Sequence, residues 1–212
     1  MRRSKLAKFD DGYRSLWGDL VAGVDEAGRG PLAGPVVAAC VVLPADARGL
    51  RGVRDSKEMS AEERGEAEVR IRAVALGVGV GMASVEEVDA FNIRMASLLA
   101  MRRAVEALGL VPQGFLVDGK DVFSPELRCE AVVDGDAKSL SVAAASVVAK
   151  VTRDAMMVEQ AMHHPVYLFE SNKGYGTPEH LSALREYGPC GIHRKSFRPV
   201  WERMYEQVAL EL

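Results

Sequence analysis

The sequence predicts a layered α/β domain in which helices cover a β-sheet. Short β-prone segments come first along the chain, later strand segments alternate with helical ones, and turn residues separate them. The chain has 212 residues, of which 48% are hydrophobic, which is enough for one core. We therefore expect residues 1–212 to form a single domain, with about residues 165–212 as a C-terminal helical part.

Two strands are predicted near the N-terminus. The segment Val21–Asp25 is short and β-prone, and it breaks at Gly28, Gly30 and Pro31. The segment Val36–Leu43 is continuously apolar and rich in β-branched residues, which predicts an interior strand buried on both faces. The Gly/Pro-rich turn between them favours an antiparallel pair.

The middle of the chain carries two helix starts. Ser60 and Ser84 are each followed three residues later by Glu, the spacing of a capping box. The elements predicted around them are a helix at 61–76, a strand at 77–82, a short helix after Ser84 and a long helix at 93–108.

Further strands and helices are predicted in the second half. Thr177 is expected to cap a helix that has Pro178 at its first position. The other predicted elements are strands at 115–118 and 131–133, a long Ala-rich helix at 139–160 and an amphipathic terminal helix at 199–212.

Composition limits the class of protein. The net charge is -3, which argues mildly against a nucleic-acid binder, so any basic surface must be local. Residues 171–203 supply one candidate, since they carry six basic and three acidic residues. The three cysteines form no CxxC pair, which disfavours a zinc knuckle or disulfide framework and fits a reducing compartment.

No membrane or export segment is expected. The basic N-terminus, residues 1–10, has no apolar core behind it, so it does not resemble a signal peptide. The longest apolar run, Val36–Leu43, is too short to cross a bilayer. We therefore expect a cytoplasmic protein with no membrane contact.

Carboxylates follow or end several predicted strands. Asp25 and Glu26 form an adjacent pair, which alone would indicate a solvated turn, and both can reach one site only if the strand bends or ends there. Asp118 ends another strand, and Asp136 lies at the entry to the long helix, where it or Asp134 can instead be an N-cap. Four such carboxylates are enough for a site that binds two divalent cations and hydrolyses phosphodiesters.

An ordered series of motifs runs through residues 21–197. The blocks are VDEAGRGPLAGPV at 24–36, DSK at 55–57, VDG at 117–119, DGDAK at 134–138, SVAAASVVAKVTRD at 141–154, KGYGT at 173–177 and HRKSF at 193–197. One block alone carries little weight, but their order is specific, and the series resembles the bacterial ribonuclease HII family.

This resemblance implies a ribonuclease H-like fold, a mixed β-sheet flanked by helices. It implies that Asp25, Glu26, Asp118 and Asp136 form the catalytic site and bind two Mg²⁺ or Mn²⁺ ions. The implied activity is endonucleolytic cleavage of the RNA strand of RNA/DNA hybrids and of duplex DNA 5′ to a single embedded ribonucleotide, by a monomer.

The resemblance also implies substrate-binding residues. Gly28-Arg29-Gly30 is expected to hold the ribonucleotide, because glycine lets main-chain groups approach a 2′-hydroxyl closely. Tyr175 is expected to pack against the sugar beside the cut, and Lys57 and Lys173 are phosphate candidates. A tight turn and solvated surface positions are the ordinary alternatives for these residues.

Two rival functions remain open at the level of sequence. A ribonuclease HIII-like nuclease carries an extra N-terminal domain, whereas about twenty residues precede Val21 here. A non-catalytic hybrid-binding module on the same fold would be expected to lack one or more of the four acids. His163-His164 is expected to end the long helix and to bind no metal.

Overall fold

The computed structural model describes residues 4–47 and 49–210, and the side chains of residues 206–210 are not described. The first three residues of the expected non-signal N-terminus and the last two of the predicted terminal helix lie outside this part of the chain. The strands are β1 (Val21–Ala27), β2 (Val36–Val42), β3 (Gly77–Ala83), β4 (Gly114–Asp118) and β5 (Cys129–Val132). The helices are α1 (Lys5–Trp17), α2 (Ala61–Val74), α3 (Val85–Glu106), α4 (Gly135–Lys138), α5 (Leu140–His163), α6 (Phe169–Asn172), α7 (Pro178–Tyr187) and α8 (Arg198–Leu210).

The five strands form one mixed sheet in the order β3-β2-β1-β4-β5. Strand β2 pairs antiparallel with both β1 and β3, whereas β4 pairs parallel with both β1 and β5. The predicted antiparallel pairing of the first two strands is confirmed. The parallel arrangement places the carboxyl ends of β1, β4 and β5 at the same edge of the sheet.

Helices cover both faces of this sheet. Every residue of β2 is buried, as its continuous apolar run predicted. Its alternate residues Ala38, Cys40 and Val42 pack on the side of α3, while Ala39 and Val41 pack on the side of α2 and α5. The predicted mixed sheet flanked by helices is confirmed.

The capping predictions are confirmed at Ser60, Ser84 and Thr177. Both predicted capping boxes form, with the serine and the glutamate three residues later each accepting a main-chain N–H. The short and long helices predicted after Ser84 are the two halves of α3, which is interrupted at Asn92 by a left-handed backbone (φ 67°). Helix α5 ends at His163, as predicted.

The alternatives for the start of the long helix are both wrong. Residues Gly135–Lys138 form a short helical turn of their own, and α5 begins at Leu140. Ser139 is in an extended conformation and its side chain accepts the Val142 N–H, so Ser139 is the cap. Neither the Asp134 nor the Asp136 side chain therefore caps α5.

Helix α1 is not among the predicted elements. It packs across the start of α5, where the fully buried Asp10 accepts hydrogen bonds from the Ser141 amide (2.9 Å) and hydroxyl (2.8 Å). Burial raises the pKa of Asp10, and the bonds from Ser139 and Ser141 oppose that shift. The helix is thus held by a contact between residues 131 positions apart.

Helix α5 approaches β1 closely at Gly23. A Cβ atom at this position would overlap the main chain of Ser141 and Val142. Replacing Gly23 with alanine is expected to lower the free energy of unfolding by about 3 kcal/mol, because a helix backbone would have to move. Denaturant unfolding measures this effect. Gly65→Ala in α2 is the control, since nothing lies within 4 Å of its Cβ position, and unchanged stability in Gly23→Ala would contradict the close packing.

Candidate active site

Three aspartates meet at the carboxyl edge of the sheet. Val24 of β1 pairs with Val117 of β4, so Asp25 and Asp118, one residue further on, are neighbours across the parallel pair. Strand β5 leads directly into α4, which carries Asp136. One carboxylate oxygen from each of the three aspartates lies within 4.8 Å of the other two.

Main-chain and hydroxyl groups fix these carboxylates. Asp118 accepts the Gly135 N–H at 2.7 Å, which ties the turn after β5 to the end of β4. Asp25 accepts the Glu26 N–H at 2.7 Å and a bond from Ser146 on α5. Ser146 in turn shares a 2.9 Å hydrogen bond with the buried Ser56. Neither serine was predicted from the sequence as a site residue.

Glu26 forms an ion pair with Arg29 and is not part of the close group of three aspartates. Strand β1 runs on to Ala27, two residues beyond the predicted segment and directly before the predicted break at Gly28, so Asp25 and Glu26 both lie within the strand and their side chains alternate. Arg29 Nη1 lies 3.2 Å from Glu26 Oε1, and the Glu26 side chain is only 8% exposed. Glu26 and Asp118 line one small cleft together with Arg29, so Asp118 belongs both to this cleft and to the group of three aspartates.

The electrostatics of the site favour a bound cation. Burial, followed by the charges of Glu26 and Asp118, raises the pKa of Asp25 well above its usual range. Burial and Asp118 likewise raise the pKa of Asp136, and burial raises that of Glu26 against the opposing effect of Arg29. These carboxylates offer only oxygen donors, which suit hard divalent cations such as Mg²⁺ and Mn²⁺. The donor set therefore fits the expected metal.

The glycine-rich loop, residues 28–35, lies beside the acidic group. Gly28 adopts φ 99°, and a Cβ there would overlap the Arg153 side chain, so both its conformation and its surroundings require glycine. Arg29 leaves 52% of its side chain exposed. A Cβ built on Gly30 would lie 3.6 Å from the ring atom Cε1 of Tyr175, which is itself 42% exposed. The predicted loop residues and Tyr175 are therefore neighbours.

The two predicted lysines differ in their surroundings. Lys57 is 77% exposed, and its Nζ lies 3.4 Å from Asp136 Oδ2 and 3.9 Å from Asp55 Oδ1. Lys173 has a left-handed backbone (φ 51°), its Nζ donates to the Glu170 carbonyl, and its own carbonyl accepts from Arg153 at 3.0 Å. The structure thus places Lys57 at the acidic group and Lys173 in the loop that leads to Tyr175.

The buried Arg194 side chain is hydrogen-bonded to the main chain of the glycine-rich loop. Arg194 is one of the six basic residues counted at 171–203 toward a local basic surface, and it does not contribute to such a surface because its side chain is fully buried. Burial lowers its pKa to about 9. Its guanidinium donates over 2.6–3.3 Å to five main-chain carbonyls of the loop, those of Gly28, Arg29, Pro31, Gly34 and Pro35.

Arg153 joins the glycine-rich loop to the Tyr175 loop. It is also fully buried, and it donates to the carbonyls of Ala33, Pro35 and Lys173, each at 3.0 Å. Main-chain bonds add to this connection, since Leu32 N donates to Gly174 O and Gly34 N donates to Ile192 O. Neither buried arginine was singled out as a site residue, because no local pattern distinguishes them from surface arginines.

A buried histidine pair lies under the Tyr175 loop. His180 of α7 and His193 before α8 are 0% and 1% exposed, and their Nε2 atoms are 3.0 Å apart. Burial lowers the pKa of both rings, that of His193 to about 4. The pair was not found from sequence, since its members are thirteen residues apart and follow no ligand spacing.

The His193 pKa predicts a loss of stability in mild acid. An unfolded histidine titrates near about 6.5, so the unfolded chain binds more protons than the folded one between about pH 6.5 and 4. The contribution of His193 to the free energy of unfolding is therefore expected to fall by about 2 kcal/mol from pH 7 to pH 5. Urea unfolding of the unaltered protein and of His193→Gln at both values isolates this contribution; equal pH dependence in the two would contradict it.

Solved structures define the class of this fold. Ribonuclease H2 from Pyrococcus horikoshii OT3 superposes with a TM-score of 0.75 at 28% identity, covering 88% of this chain and 97% of that one. Bst-RNase HIII in complex with Mn²⁺ superposes with a TM-score of 0.66 over 97% of this chain and 74% of that one, and at 18% identity it shows the fold alone. The chain therefore has the ribonuclease H-like fold expected from its motifs.

Sequence comparison narrows this class to one family. Residues 22–203 match the family model for Ribonuclease HII. Ribonuclease HII of Paraburkholderia xenovorans (strain LB400) is 53% identical over 184 residues, which cover 87% of this chain and 74% of that protein. Ribonuclease HII of Burkholderia mallei (strain SAVP1) is 54% identical over 185 residues, covering 87% and 86%. The chain belongs to the ribonuclease HII family and is an endoribonuclease.

Within the described residues, none of the helices has both the length and the apolar character that a membrane crossing requires.

Proposed function

We propose that this ribonuclease cuts the RNA strand of RNA/DNA hybrids and cuts duplex DNA on the 5′ side of a single embedded ribonucleotide. The products carry 3′-hydroxyl and 5′-phosphate ends. The observation that carries this proposal is the group formed by Asp25, Asp118 and Asp136, whose oxygens lie within 4.8 Å of one another beside the glycine-rich loop. We further propose that the enzyme acts as a cytoplasmic monomer.

The four predicted acids are the proposed catalytic residues. Asp25, Asp118 and Asp136 would hold one divalent cation, and Glu26 with Asp118 would hold a second once Arg29 releases the Glu26 carboxylate. Two such ions, when bound, activate a water and stabilise the oxygen that leaves the phosphate. Either Mg²⁺ or Mn²⁺ suits these oxygen donors.

The glycine-rich loop and the Tyr175 loop are the proposed substrate site. Gly30 is exposed and carries no side chain, so its main-chain groups can read a 2′-hydroxyl. Gly28 is buried against Arg153, with its carbonyl on Arg194, and would hold the ribonucleotide by shaping the loop that presents Arg29 and Gly30. The exposed Tyr175 ring faces Gly30 and would pack on the adjacent sugar. The exposed Arg29 and Lys57 side chains, together with Lys173, would contact phosphates.

The rival functions have less support. The family model and the curated relatives favour ribonuclease HII over a ribonuclease HIII-like nuclease. A non-catalytic hybrid-binding module would have no need of Asp25, Asp118 and Asp136 gathered with their oxygens within 4.8 Å of one another. Metal-independent binding of a hybrid without cleavage would revive the second rival.

The proposed activity is tested with an end-labelled duplex that contains one ribonucleotide. Incubation with Mg²⁺, Mn²⁺ or EDTA is expected to give a single cut 5′ to the ribonucleotide with either metal and no cut with EDTA. An all-DNA duplex of the same sequence is the control, and a long RNA/DNA hybrid tests the other substrate. Cleavage 3′ to the ribonucleotide, or cleavage of the all-DNA duplex, would refute the proposed specificity.

Metal binding is expected to stabilise the folded protein. A cation relieves the repulsion among the three aspartates, and at a hundredfold excess over its Kd it adds about 3 kcal/mol to the free energy of unfolding. Thermal unfolding with Mn²⁺ and with EDTA measures this gain. Asp136→Asn is expected to lose most of it and the exposed Asp19→Asn to keep it; equal gains in both variants would contradict the assigned site.

A further inference from the structure

The buried histidine pair belongs to a chain of hydrogen bonds that ends at Tyr175. Cys190 N–H donates to His193 Nδ1 at 3.0 Å, and the Cys190 thiol lies 3.1 Å from the same nitrogen. The two Nε2 atoms are 3.0 Å apart, and His180 Nδ1 lies 2.8 Å from the Tyr175 carbonyl. The chain therefore runs from the loop before α8 to the loop before α7.

The two ends of this chain fix its direction. A main-chain N–H can only donate, so His193 Nδ1 accepts and His193 carries its proton on Nε2. That proton is donated to His180 Nε2, which leaves the His180 proton on Nδ1. A carbonyl can only accept, so His180 Nδ1–H donates to Tyr175. One neutral tautomer of each ring satisfies every bond.

The surroundings hold both rings neutral and in place. The Tyr167 ring lies 4.8 Å from the His193 ring, and the Phe169 ring lies 5.3 Å from the His180 ring, centroid to centroid. Burial lowers the pKa of both histidines, and His180 lowers the pKa of His193 further. The two histidines are thus uncharged and have a structural role rather than that of a general acid or base.

The histidine pair is hydrogen-bonded to Tyr175, a residue of the proposed substrate site. The Tyr175 carbonyl accepts from His180 Nδ1 and from Thr177 N, each at 2.8 Å. The main chain of Tyr175 is therefore held by these two hydrogen bonds, while the Tyr175 ring stays 42% exposed beside Gly30. No other described side chain donates to this carbonyl.

We propose that His180 and His193 are positioning residues, which set the Tyr175 ring against the sugar of the substrate through the Tyr175 carbonyl. This inference rests on the proposed function of Tyr175. Neither histidine touches the reacting phosphate, so their effect passes through the main chain of one residue. A misplacement of that ring by about 1 Å is enough to lower the rate by up to about a hundredfold.

Two substitutions of His180 separate its two hydrogen bonds. In His180→Asn the amide nitrogen replaces Nδ1 and still donates to Tyr175. In His180→Gln the amide reaches the Nε2 position, so the contact with His193 is kept and the bond to Tyr175 is lost. On the single-ribonucleotide duplex, kcat/KM is expected to fall about tenfold or more in His180→Gln and at most about threefold in His180→Asn.

Combination with Tyr175→Ala distinguishes positioning from general stability. If His180 acts through Tyr175, His180→Gln adds no further loss of kcat/KM once the ring is absent. Multiplicative losses in the double variant would overturn the proposal. Cleavage by the unaltered enzyme is measured in the same assay, so failure of the proposed activity is seen separately.

A measurement on the unaltered protein does not depend on the folding of any variant. Nitrogen-15 chemical shifts of the imidazole rings at pH 7 are expected to show His180 protonated on Nδ1 and His193 on Nε2. The opposite tautomers, or a charged ring at this pH, would overturn the chain of hydrogen bonds and the proposal with it.

Discussion

Replacing Asp118 with asparagine is expected to reduce cleavage of a single-ribonucleotide duplex by about a thousandfold or more. Asp118 shares a cleft with Glu26 and also belongs to the close group with Asp25 and Asp136, so both proposed cation positions use it. A neutral amide removes one negative charge from each, and the loss of several kcal/mol of transition-state stabilisation gives this factor. Single-turnover kinetics with saturating Mn²⁺ measure the rate of cleavage.

The same substitution should leave the fold intact. The asparagine carbonyl can still accept the Gly135 N–H that Asp118 accepts at 2.7 Å, and repulsion from Asp25 and Asp136 is reduced. The metal-free protein is therefore expected to unfold at the same temperature as the unaltered one, or higher. Asp19→Asn, at an exposed position, is the control for activity. Full activity of Asp118→Asn would refute the assigned catalytic site.

Replacing Arg194 with lysine is expected to give the second large effect. Five loop carbonyls accept from this one guanidinium, and a lysine ammonium offers three donors from a single point. At least two buried carbonyls lose their partner, which is expected to cost about 2–4 kcal/mol of the free energy of unfolding. Because these carbonyls shape the loop around Gly28 and Gly30, kcat/KM is expected to fall as well.

Arg198→Lys is the matched control for this experiment. Arg198 is 87% exposed, and among the described residues it pairs only with Glu202 on its own helix, so its replacement is expected to change stability by less than about 0.5 kcal/mol. Urea unfolding and steady-state kinetics on both variants provide the comparison. If Arg194→Lys were as stable and as active as Arg198→Lys, the loop would have to be held by contacts other than the buried guanidinium.

Local chemistry explains which elements could be predicted. The capping boxes at Ser60 and Ser84 involve residues three positions apart, and the burial of β2 follows from its own composition. Helix α1 has a serine cap, Ser4, but no glutamate three residues later to complete a capping box, and the contact of its buried Asp10 is with Ser141, a distant residue. Periodicity reports burial within one element, but it does not report which remote group that element meets.

The candidate site shows the same division. Asp25, Asp118 and Asp136 stand at strand ends or at a helix entry, and the family resemblance implied that they form one site with Glu26. The structure shows that the parallel pairing of β1 with β4 brings two of them together. The ion pair of Glu26 with Arg29 was not predicted, because it depends on the conformation of the turn that follows β1. Buried residues that act through main-chain carbonyls were missed, because their partners are defined by loop conformation rather than by residue type.

The connection of Arg194 to the glycine-rich loop has a consequence for local opening. The carbonyls that it holds lie 159–166 residues earlier in the chain, so the loop keeps its shape only while the C-terminal segments are docked. The amide protons of the loop should exchange with solvent whenever those segments detach. One of them is the amide proton of Gly34, which donates to the Ile192 carbonyl. Amides of β1 and β2 need the sheet itself to open. Two parts of the molecule that are adjacent in sequence should therefore differ in exchange rate.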